Sequence, residues 1–569
     1  MLSSAINKIC RSIFLIISIT ILCLPGDAAI AGMGPGYGGG WGGGGGGGGM
    51  TGTTLTTFET TEFSGSGVCA FCHSSLRDST GNDVSIDSQW RSTMMANAGK
   101  DPLWQAKISS EINRNPSLQS VIEEKCSRCH MGLARYQAIT DGSVVGVLGS
   151  GFIATNHYLH AAAMDDVSCT LCHQIQDVSL GLPESFTGRY VIDTSTFPPY
   201  RDAFGPYFQP VQHPMEMHSG FTPAPGQHIA NSALCGTCHT LYTPSVDAAG
   251  RVIGEFPEQT TYLEWEHSVS GGGIGTTCQD CHMPDALGSV VISNRPMWLS
   301  GRSPFGQHHL VGGNSFMVNL LKTNAPAIGV TADTAHFDST IARTNTQLQN
   351  NTASLSVASA SVTNDMLSVA IGVQNMAGHK FPSGIPARRC WIHVTVKDAR
   401  GRLVFESGKP QADGSIAGND ADLNALLYEP HYDVITSPNQ VQIYEPVMLD
   451  SDGAVTYTLL RAASYAKDNR LLPMGFNKAA APYEISVRGE AANDANFTAG
   501  TDQVTYRINV SGKRRPLSVS AELSYQPVSY SFAENLRQDG TDLTNRFFGF
   551  YDQSVKTPKV ISSVQKSVQ

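Results

Sequence analysis

The chain has 569 residues, of which 41% are hydrophobic and 15% are charged, and its formal net charge is −10. This composition is typical of a globular protein with two or three domains. The acidic balance argues against a nucleic acid as the main partner, because a phosphate backbone requires basic surfaces.

The N-terminus has the pattern of an export signal. Lys8 and Arg11 precede the apolar run "IFLIISITILCL" (13–24), and Ala29-Ile30-Ala31 offers a cleavage site. This pattern predicts a signal peptide over 1–31 and an exported protein, either periplasmic or on the outer surface or extracellular. A retained membrane anchor is the alternative, although the run is short for a bilayer. We expect no transmembrane segment in the mature chain, since no later stretch is comparably apolar.

Glycine dominates the segment after the cleavage site, which reads "GMGPGYGGGWGGGGGGGG" at 32–49. So many glycines cannot bury enough surface to offset their ordering entropy. We therefore predict a flexible tether over 32–54.

Five short repeats of the pattern Cys-x-x-Cys-His follow. They read CAFCH (69–73), CSRCH (126–130), CTLCH (169–173), CGTCH (235–239) and CQDCH (278–282), and they contain ten of the 13 cysteines. This pentad is the attachment signature of c-type haem, in which both thiols bond to the haem and the histidine ligates its iron. The sequence predicts five covalently bound haem c groups. The expected attachment residues are Cys69, Cys72, Cys126, Cys129, Cys169, Cys172, Cys235, Cys238, Cys278 and Cys281, and the expected proximal iron ligands are His73, His130, His173, His239 and His282.

Two other uses of paired cysteines fit the pattern less well. A zinc ribbon combines two Cys-x-x-Cys pairs into four ligands, and five pairs cannot combine evenly. A set of redox dithiols leaves the repeated histidine unexplained. A disulfide scaffold would scatter its cysteines across the fold, whereas Cys390 is the sole cysteine of the mature chain outside the pentads.

The pentads lie within a segment that lacks sustained strand alternation. We predict a multihaem domain over 55–325, mostly helix and loop, whose interior is filled by porphyrins because long apolar stretches are rare there. One helix is expected in "DPLWQAKISSEI" (101–112), which has a proline in its first turn.

The pattern of apolar and polar residues changes from about residue 352. Short alternating runs such as "MLSVAIGVQN", "CWIHVTVKD" and "QVTYRINV" are separated by turn residues. They predict an all-β, sandwich-like domain over 350–530, followed by a C-terminal tail over 531–569. The expected fold class is therefore α+β multidomain, with a haem-cored domain before the β domain.

The second axial ligand of each iron decides between electron transfer and catalysis. The candidate distal histidines are His160, His218, His228, His309 and His379, and His308 is an equal rival of His309 by position. His393 is expected in a strand, His336 and His431 on the surface, and Cys390 as a buried apolar residue. The sequence does not assign a distal histidine to a particular haem.

The pentads and their surrounding phrases resemble the multihaem c-type cytochromes, the superfamily of the tetrahaem nitrifier cytochromes and the octahaem oxidoreductases. These phrases are "HAAAMDDVSCTLCHQI", "HIANSALCGTCHTLYTP", "GQHHLVGGN" and "GHKFPSGIPARRCW". The resemblance implies a pentahaem member with a C-terminal β-domain.

Electron transfer through mostly bis-histidine haems is the function that the sequence favours, with other redox proteins as donor and acceptor and self-assembly as a further possibility. The alternative is a multihaem oxidoreductase that acts on a small nitrogen or sulfur compound at one open haem. Relatives that reduce nitrite carry CxxCK at the catalytic haem, and this chain has no CxxCK. A structural surface protein with incidental haems is a third class. We predict no catalytic residues.

Overall fold

The pentad segment is built from short helices joined by longer loops. A computed structural model describes residues 54–569, so the expected signal peptide and all but the last residue of the expected tether lie outside the described residues. The helices up to residue 350 are α1 (Ser66–His73), α2 (Ile86–Trp90), α3 (Pro102–Arg114), α4 (Gln119–His130), α5 (Gly132–Thr140), α6 (His160–Ala163), α7 (Cys169–Cys172), α8 (His213–Ser219), α9 (Ser232–His239), α10 (Thr261–Glu266), α11 (Cys278–His282), α12 (Ser315–Thr323), α13 (Ala325–Ile328) and α14 (Thr334–Asn350).

Two small sheets interrupt these helices. Strands β1 (Arg201–Gly205) and β2 (Phe221–Pro225) are parallel, whereas β3 (Leu241–Val246) and β4 (Val252–Gln259) form an antiparallel pair. The predicted helix in "DPLWQAKISSEI" is confirmed as α3. The Asp101 side chain caps it by accepting from the Leu103 N–H at 2.8 Å, and Pro102 fills its first position.

The pentad segment has an apolar core of side chains. Residues from α3 to α6 pack together in it, among them Ile108, Met131, Leu133, Phe152 and Leu159, each at most 2% exposed. The sequence predicted an interior filled by porphyrins, because its apolar residues are not grouped in long runs. Short helices nevertheless bring single apolar residues together from many turns of chain.

The C-terminal segment contains two sheets that face each other. Their strands are β5 (Ala353–Thr363), β6 (Met366–Asn375), β7 (Arg389–Lys397), β8 (Leu403–Ser407), β9 (Val434–Ile435), β10 (Ile443–Tyr444), β13 (Thr501–Asn509), β14 (Leu517–Gln526) and β15 (Lys559–Val568). One sheet has the order β5-β6-β13-β9 and the other β10-β7-β14-β15, with β8 on β7. A separate pair, β11 (Pro446–Leu449) and β12 (Ser464–Asp468), lies outside both sheets.

Alternate residues of both sheets share one core. Leu367, Val369 and Ile371 of β6 and Ile392 and Val394 of β7 are all fully buried in the same apolar cluster. This alternation is the pattern of a β-sandwich, in which every second side chain points between the sheets. The α+β fold class is thus confirmed at this level. Cys390 and His393 lie in β7 as predicted, and Cys390 is fully buried.

The C-terminal segment 531–569 is not a tail. It contains α17 (Asp542–Tyr551), most of α16 (Tyr530–Arg537) and strand β15, which pairs along the length of β14; the one remaining helix, α15 (Asp420–Leu423), comes earlier. Helix α17 packs on α3, and near its start the Ser109 and Thr541 hydroxyls are 2.9 Å apart. Sequence alternation in β15 is weak because only Ile561 and Val568 of its ten residues are buried, so few positions require an apolar side chain.

Two expectations from the sequence concern the exposure of His431 and the presence of a transmembrane helix. His431 was expected on the surface but is 6% exposed, because strand β13 and the loop before it cover the imidazole. Within residues 54–569, we find no helix of sufficient length and apolarity to span a bilayer.

Candidate haem-binding centre

Each pentad forms the end of a helix. The five lie at the C-terminal ends of α1, α4, α7, α9 and α11, with the histidine as the last helical residue or directly after it. In a helix, residues three and four positions apart share a face. One turn therefore presents both thiols and the imidazole of a pentad on the same side, which is the arrangement that attachment to one porphyrin edge requires.

The ten pentad thiols are free cysteines in the structure, and none is joined in a disulfide. They also lie close to one another across pentads. The Cys69 thiol is a hydrogen-bonding neighbour of the Cys169 thiol, and Cys235 is a neighbour of Cys278 in the same way. These contacts, together with burial, raise the pKa of Cys169 and of Cys235.

A third contact brings pentads two and four together, since the Cys129 and Cys238 thiols are also hydrogen-bonding neighbours. Cys172 of the third pentad lies near Cys235 and Cys238 of the fourth pentad. Negative charge on Cys172 raises the pKa of both. The pentads thus adjoin in the order one, three, four, five, and the second joins the fourth. This order differs from their order in the sequence.

Hydrogen bonds between the helices hold this arrangement. The Ser66 hydroxyl at the start of α1 donates to Asp165 at 2.6 Å, and the Thr170 hydroxyl within the third pentad donates to the Ser64 carbonyl at 2.9 Å. The Cys278 N–H donates to the Ser232 hydroxyl at 2.9 Å, which ties α11 to α9. The first and third pentads, and the fourth and fifth, are therefore joined by the protein as well as by their thiols.

The imidazoles of four pentads are oriented through Nδ1. His73, His173 and His282 place Nδ1 at 2.6, 2.6 and 2.5 Å from the carbonyl oxygens of Ile292, Phe204 and Val311. A ring that donates from Nδ1 keeps the lone pair of Nε2 free for a metal. His130 has the same arrangement toward the Ala98 carbonyl at 3.1 Å.

Burial keeps these imidazoles neutral. It lowers the pKa of His130 to about 4 and of His239 to about 4, and it lowers the pKa of His73, His173 and His282 in the same direction. Only a neutral imidazole can ligate iron. Trp104 also stacks on His130, with ring centroids 4.6 Å apart and planes within 8° of parallel.

Two proximal rings have a second imidazole at the spacing of a shared metal. The ring centroids of His282 and His379 are 6.4 Å apart with planes within 13°, and those of His173 and His308 are 6.4 Å apart with planes within 25°. A metal–imidazole bond is about 2.0 Å long and the ring centre lies about 1.2 Å behind the nitrogen, so two ligands across one metal have centres about 6.4 Å apart.

The surroundings of His379 and His308, the two rings that face pentad histidines, agree with ligation of a metal. His379 directs Nδ1 to the Lys380 carbonyl at 2.8 Å, and burial lowers the pKa of His308 to about 3. His309, which was a candidate beside His308, instead lines a cavity of about 280 Å³ with Cys281 and Arg343. The residues present therefore fit bis-histidine haem at the third and fifth pentads, with His308 rather than His309 at the third.

The other three candidate distal histidines differ among themselves, since Nε2 has a carbonyl partner in two of them and, among the described residues, is left free in the third. His218 and His228 place Nε2 at 3.2 and 2.8 Å from the carbonyl oxygens of Val68 and Ile175, so the nitrogen that commonly binds iron is in use. His160 directs Nδ1 to the Phe152 carbonyl at 3.0 Å. Within the part of the chain that the structure describes, none of these three rings is in ring contact with a proximal histidine.

Sequence reasoning missed the backbone carbonyls that orient the proximal rings. Ile292, Phe204 and Val311 contribute main-chain oxygens, and no side-chain pattern marks such a residue. The sequence shows the neighbouring pair His308-His309. Which of the two imidazoles faces His173 depends on the conformation of the loop that carries them.

Comparisons with known proteins give one structural likeness. No protein-family model matches the chain, and no curated protein matches it. Among solved structures, it is similar to a penta-heme cytochrome c552 from Thermochromatium tepidum, with 15% sequence identity and a TM-score of 0.47. The match covers 88% of this chain and 97% of that chain. A likeness of this degree does not establish a common family or activity.

Proposed function

We propose that the chain is an exported pentahaem c-type cytochrome that carries electrons between redox proteins. The observation that carries the proposal is the continuity of the pentads: Cys69 adjoins Cys169, Cys172 lies near Cys235 and Cys238, Cys129 adjoins Cys238, and Cys235 adjoins Cys278. Thiols in contact require that the groups attached to them be neighbours. When bound, each haem supplies one-electron Fe(III)/Fe(II) chemistry.

The histidine pairs support electron transfer over catalysis at two of the five positions. His173 with His308 and His282 with His379 would occupy both axial sites of an iron, which leaves no site for a substrate. The first, third, fourth and fifth pentads then form a line, and the second pentad branches from the fourth. Such a branch offers three ends at which a donor or acceptor could exchange electrons.

A second function, an oxidoreductase acting on a small nitrogen or sulfur compound, has one observation in its favour. Among residues 54–569, no imidazole is in ring contact with His73 or His239, and His130 has only the Trp104 contact. An iron held at one of these three positions without a distal ligand would be open to a substrate.

One set of spectra separates the two functions. For electron transfer, the purified holoprotein should contain five low-spin haems by electron paramagnetic resonance, and its reduced form should not bind carbon monoxide. Stoichiometric binding of carbon monoxide or nitrite to one haem, with turnover of nitrite or hydroxylamine, would instead support the oxidoreductase. Absence of covalent haem would overturn both.

A further inference from the structure

The loop that carries His379 reaches from the β-sandwich to the pentad segment. It runs from the end of β6 to the start of β7, and Phe381 and Leu471 exchange backbone hydrogen bonds at 2.9 and 2.8 Å. A Cβ on Gly378 would lie 3.0 Å from the Ser270 hydroxyl, so a larger residue would push the loop away from the segment between α10 and α11. His379 therefore lies where the two parts of the chain meet.

Four buried charges line this junction in alternating sign. The Lys380 ammonium is 2.7 Å from Asp468, the Arg470 guanidinium donates to Asp468 at 2.8 Å, and Arg470 Nη1 is 2.7 Å from Glu264. Each of the four side chains is at most 5% exposed. We refer to Glu264, Arg470, Asp468 and Lys380 as the junction network.

The junction network crosses from one part of the chain to the other. Glu264 belongs to α10, whereas Lys380, Asp468 and Arg470 belong to the C-terminal segment. The Ser383 hydroxyl donates to Glu264 at 2.8 Å and lies 2.9 Å from the Thr261 hydroxyl. Glu264 and Thr261 of α10 are therefore both bonded to the loop of His379, and Glu264 is also paired with Arg470, which follows β12.

Helix α10 also rests on the fourth pentad. The Tyr262 ring lies so close to Gly236 that a Cβ there would be 2.8 Å from it. On the other side, the Val269 N–H donates to the Met474 carbonyl at 2.8 Å. The junction network thus connects the His379 loop to a helix whose own position is fixed by a pentad.

Buried ion pairs add little net stability, because desolvation offsets the attraction. They do fix geometry, since a shifted arrangement leaves a buried charge without its partner. Two apolar surfaces could shift against each other at little cost, whereas surfaces with alternating charges pair fully in one alignment. Burial alone would raise the pKa of Asp468, but the attraction of Arg470 and Lys380 outweighs it and holds this pKa far below its usual range, so the Asp468 carboxylate stays ionised at ordinary pH.

We propose that the junction network is a positioning device: it holds His379 at the distance from His282 at which both imidazoles can ligate one iron. The second axial ligand at the fifth pentad then depends on docking of the β-sandwich. This inference rests on the proposed function. Glu264, Arg470, Asp468 and Lys380 do not touch the iron position. They act through the loop of His379.

The test uses the full holoprotein with Glu264→Gln and Asp468→Asn variants. Each change removes one charge at nearly constant shape: Glu264→Gln removes one of the two carboxylates that face Arg470, and Asp468→Asn removes the charged partner of Lys380. We expect one haem in five to become partly high-spin and to bind carbon monoxide when reduced, while the other four keep their spectra.

Asp422→Asn is the matched control. Asp422 accepts two hydrogen bonds from the Arg389 guanidinium, and both side chains are at most 2% exposed, but this pair lies within the C-terminal segment. It should lower the temperature of unfolding without changing any haem. Equal haem spectra in Glu264→Gln, Asp468→Asn and Asp422→Asn would overturn the inference, since the network would then be structural only.

Two further results separate this inference from the proposed function. If the wild-type protein lacks covalent haem, the proposed function fails. If it has five haems and His379→Ala opens one of them, but Glu264→Gln opens none, the proposed function stands and only the positioning role is wrong. Should Asp468→Asn not accumulate, Glu264→Gln decides alone, with hydrogen exchange of residues 378–384 as the second readout. Faster exchange there is expected, and unchanged exchange with unchanged spectra would contradict the inference.

Discussion

His308 lies at the distance from His173 at which two imidazoles can ligate one iron, and its neighbour His309 does not. The His173 and His308 ring centroids are 6.4 Å apart, whereas His309 lies beside Arg343 at a cavity next to Cys281. Adjacent residues of an irregular loop point in different directions, so only one of the two can meet a given iron. Their separation offers a sharp comparison between neighbouring substitutions.

We predict that His308→Ala converts one haem in five to the high-spin state, about a fifth of the total signal, because the iron loses a strong-field ligand. His309→Ala should leave all five haems low-spin. Electron paramagnetic resonance of the oxidised proteins measures both. The reverse result, with the change in His309→Ala only, would assign the ligand to His309.

His379→Ala should open the fifth position in the same way. The control is His393→Ala, whose ring lies in β7 and pairs with Glu406 at 3.1 Å, away from any pentad. Carbon monoxide difference spectra of the reduced proteins should show about one binding site per chain in His379→Ala and no new site in His393→Ala. If His379→Ala binds no carbon monoxide and keeps its potentials, the β-sandwich does not supply a ligand.

Covalent attachment gives a prediction in mass. The denatured wild-type protein should carry five haem masses, because a thioether bond survives unfolding. A Cys278→Ser, Cys281→Ser double variant should carry four. Cys390→Ala should still carry five, since Cys390 is fully buried in β7 and belongs to no pentad. A wild-type mass with three haems or fewer would contradict the proposed pentahaem state.

The buried His431 predicts an acid-sensitive sandwich. Its Nδ1 accepts from the Gln442 and Asn469 amides at 2.8 and 3.0 Å, so Nε2 carries the proton and donates to Asp494 at 3.1 Å. Main-chain N–H groups of Tyr432 and Glu445 bind the two amide oxygens and fix the amide orientations. His431 therefore has no free lone pair for a metal, although Asp494 and Asp502 are near.

Burial lowers the pKa of His431 to about 4, below that of an unfolded histidine. The unfolded state then binds more protons, so the stabilising contribution is complete above about pH 6.5 and is lost as the pH falls toward 4, by at most about 3 kcal/mol. We expect His431 to contribute a fall of the urea midpoint over this range, followed by far-ultraviolet circular dichroism, against the opposite contribution of Asp502, whose pKa burial raises to about 7. His431→Gln should flatten the fall, and exposed His267→Gln should not. An equal slope in all three proteins would show that another group controls the acid limb.

Close packing at the fourth pentad predicts a cost for one methyl group. Gly236→Ala would place a Cβ 2.8 Å from the Tyr262 ring and should destabilise the protein by about 1–3 kcal/mol through overpacking. Gly254→Ala, at a position with open space around the added Cβ, should change stability by less than about 0.5 kcal/mol. Thermal unfolding of the two holoproteins compares them. Equal melting temperatures would mean that Tyr262 moves aside freely.

Local patterns in the sequence predicted what depends on neighbouring residues. Pro102 and the helical spacing after it marked α3, and the alternation around Cys390 and His393 marked β7. Capping and strand alternation are short-range effects, so one sequence is enough to find them.

Features that depend on distant partners could not be predicted. His431 was expected on the surface, because its burial depends on Asp494 and Asp502, more than sixty residues later in the chain. The distinction between His308 and His309 depends on where His173 lies in space. The branch order of the pentads depends in the same way on contacts between thiols of separate helices.

Strand β15 has a consequence for the order of assembly. Its ten residues complete the sheet by pairing with β14, so a chain cut before Lys559 would leave the hydrogen-bonding edge of β14 open to other strands. During synthesis, the pentads emerge long before β15 does. Under the proposed function, haem attachment can therefore begin on an unfinished chain, whereas the two sheets that carry the loop of His379 close only after β15 has been made.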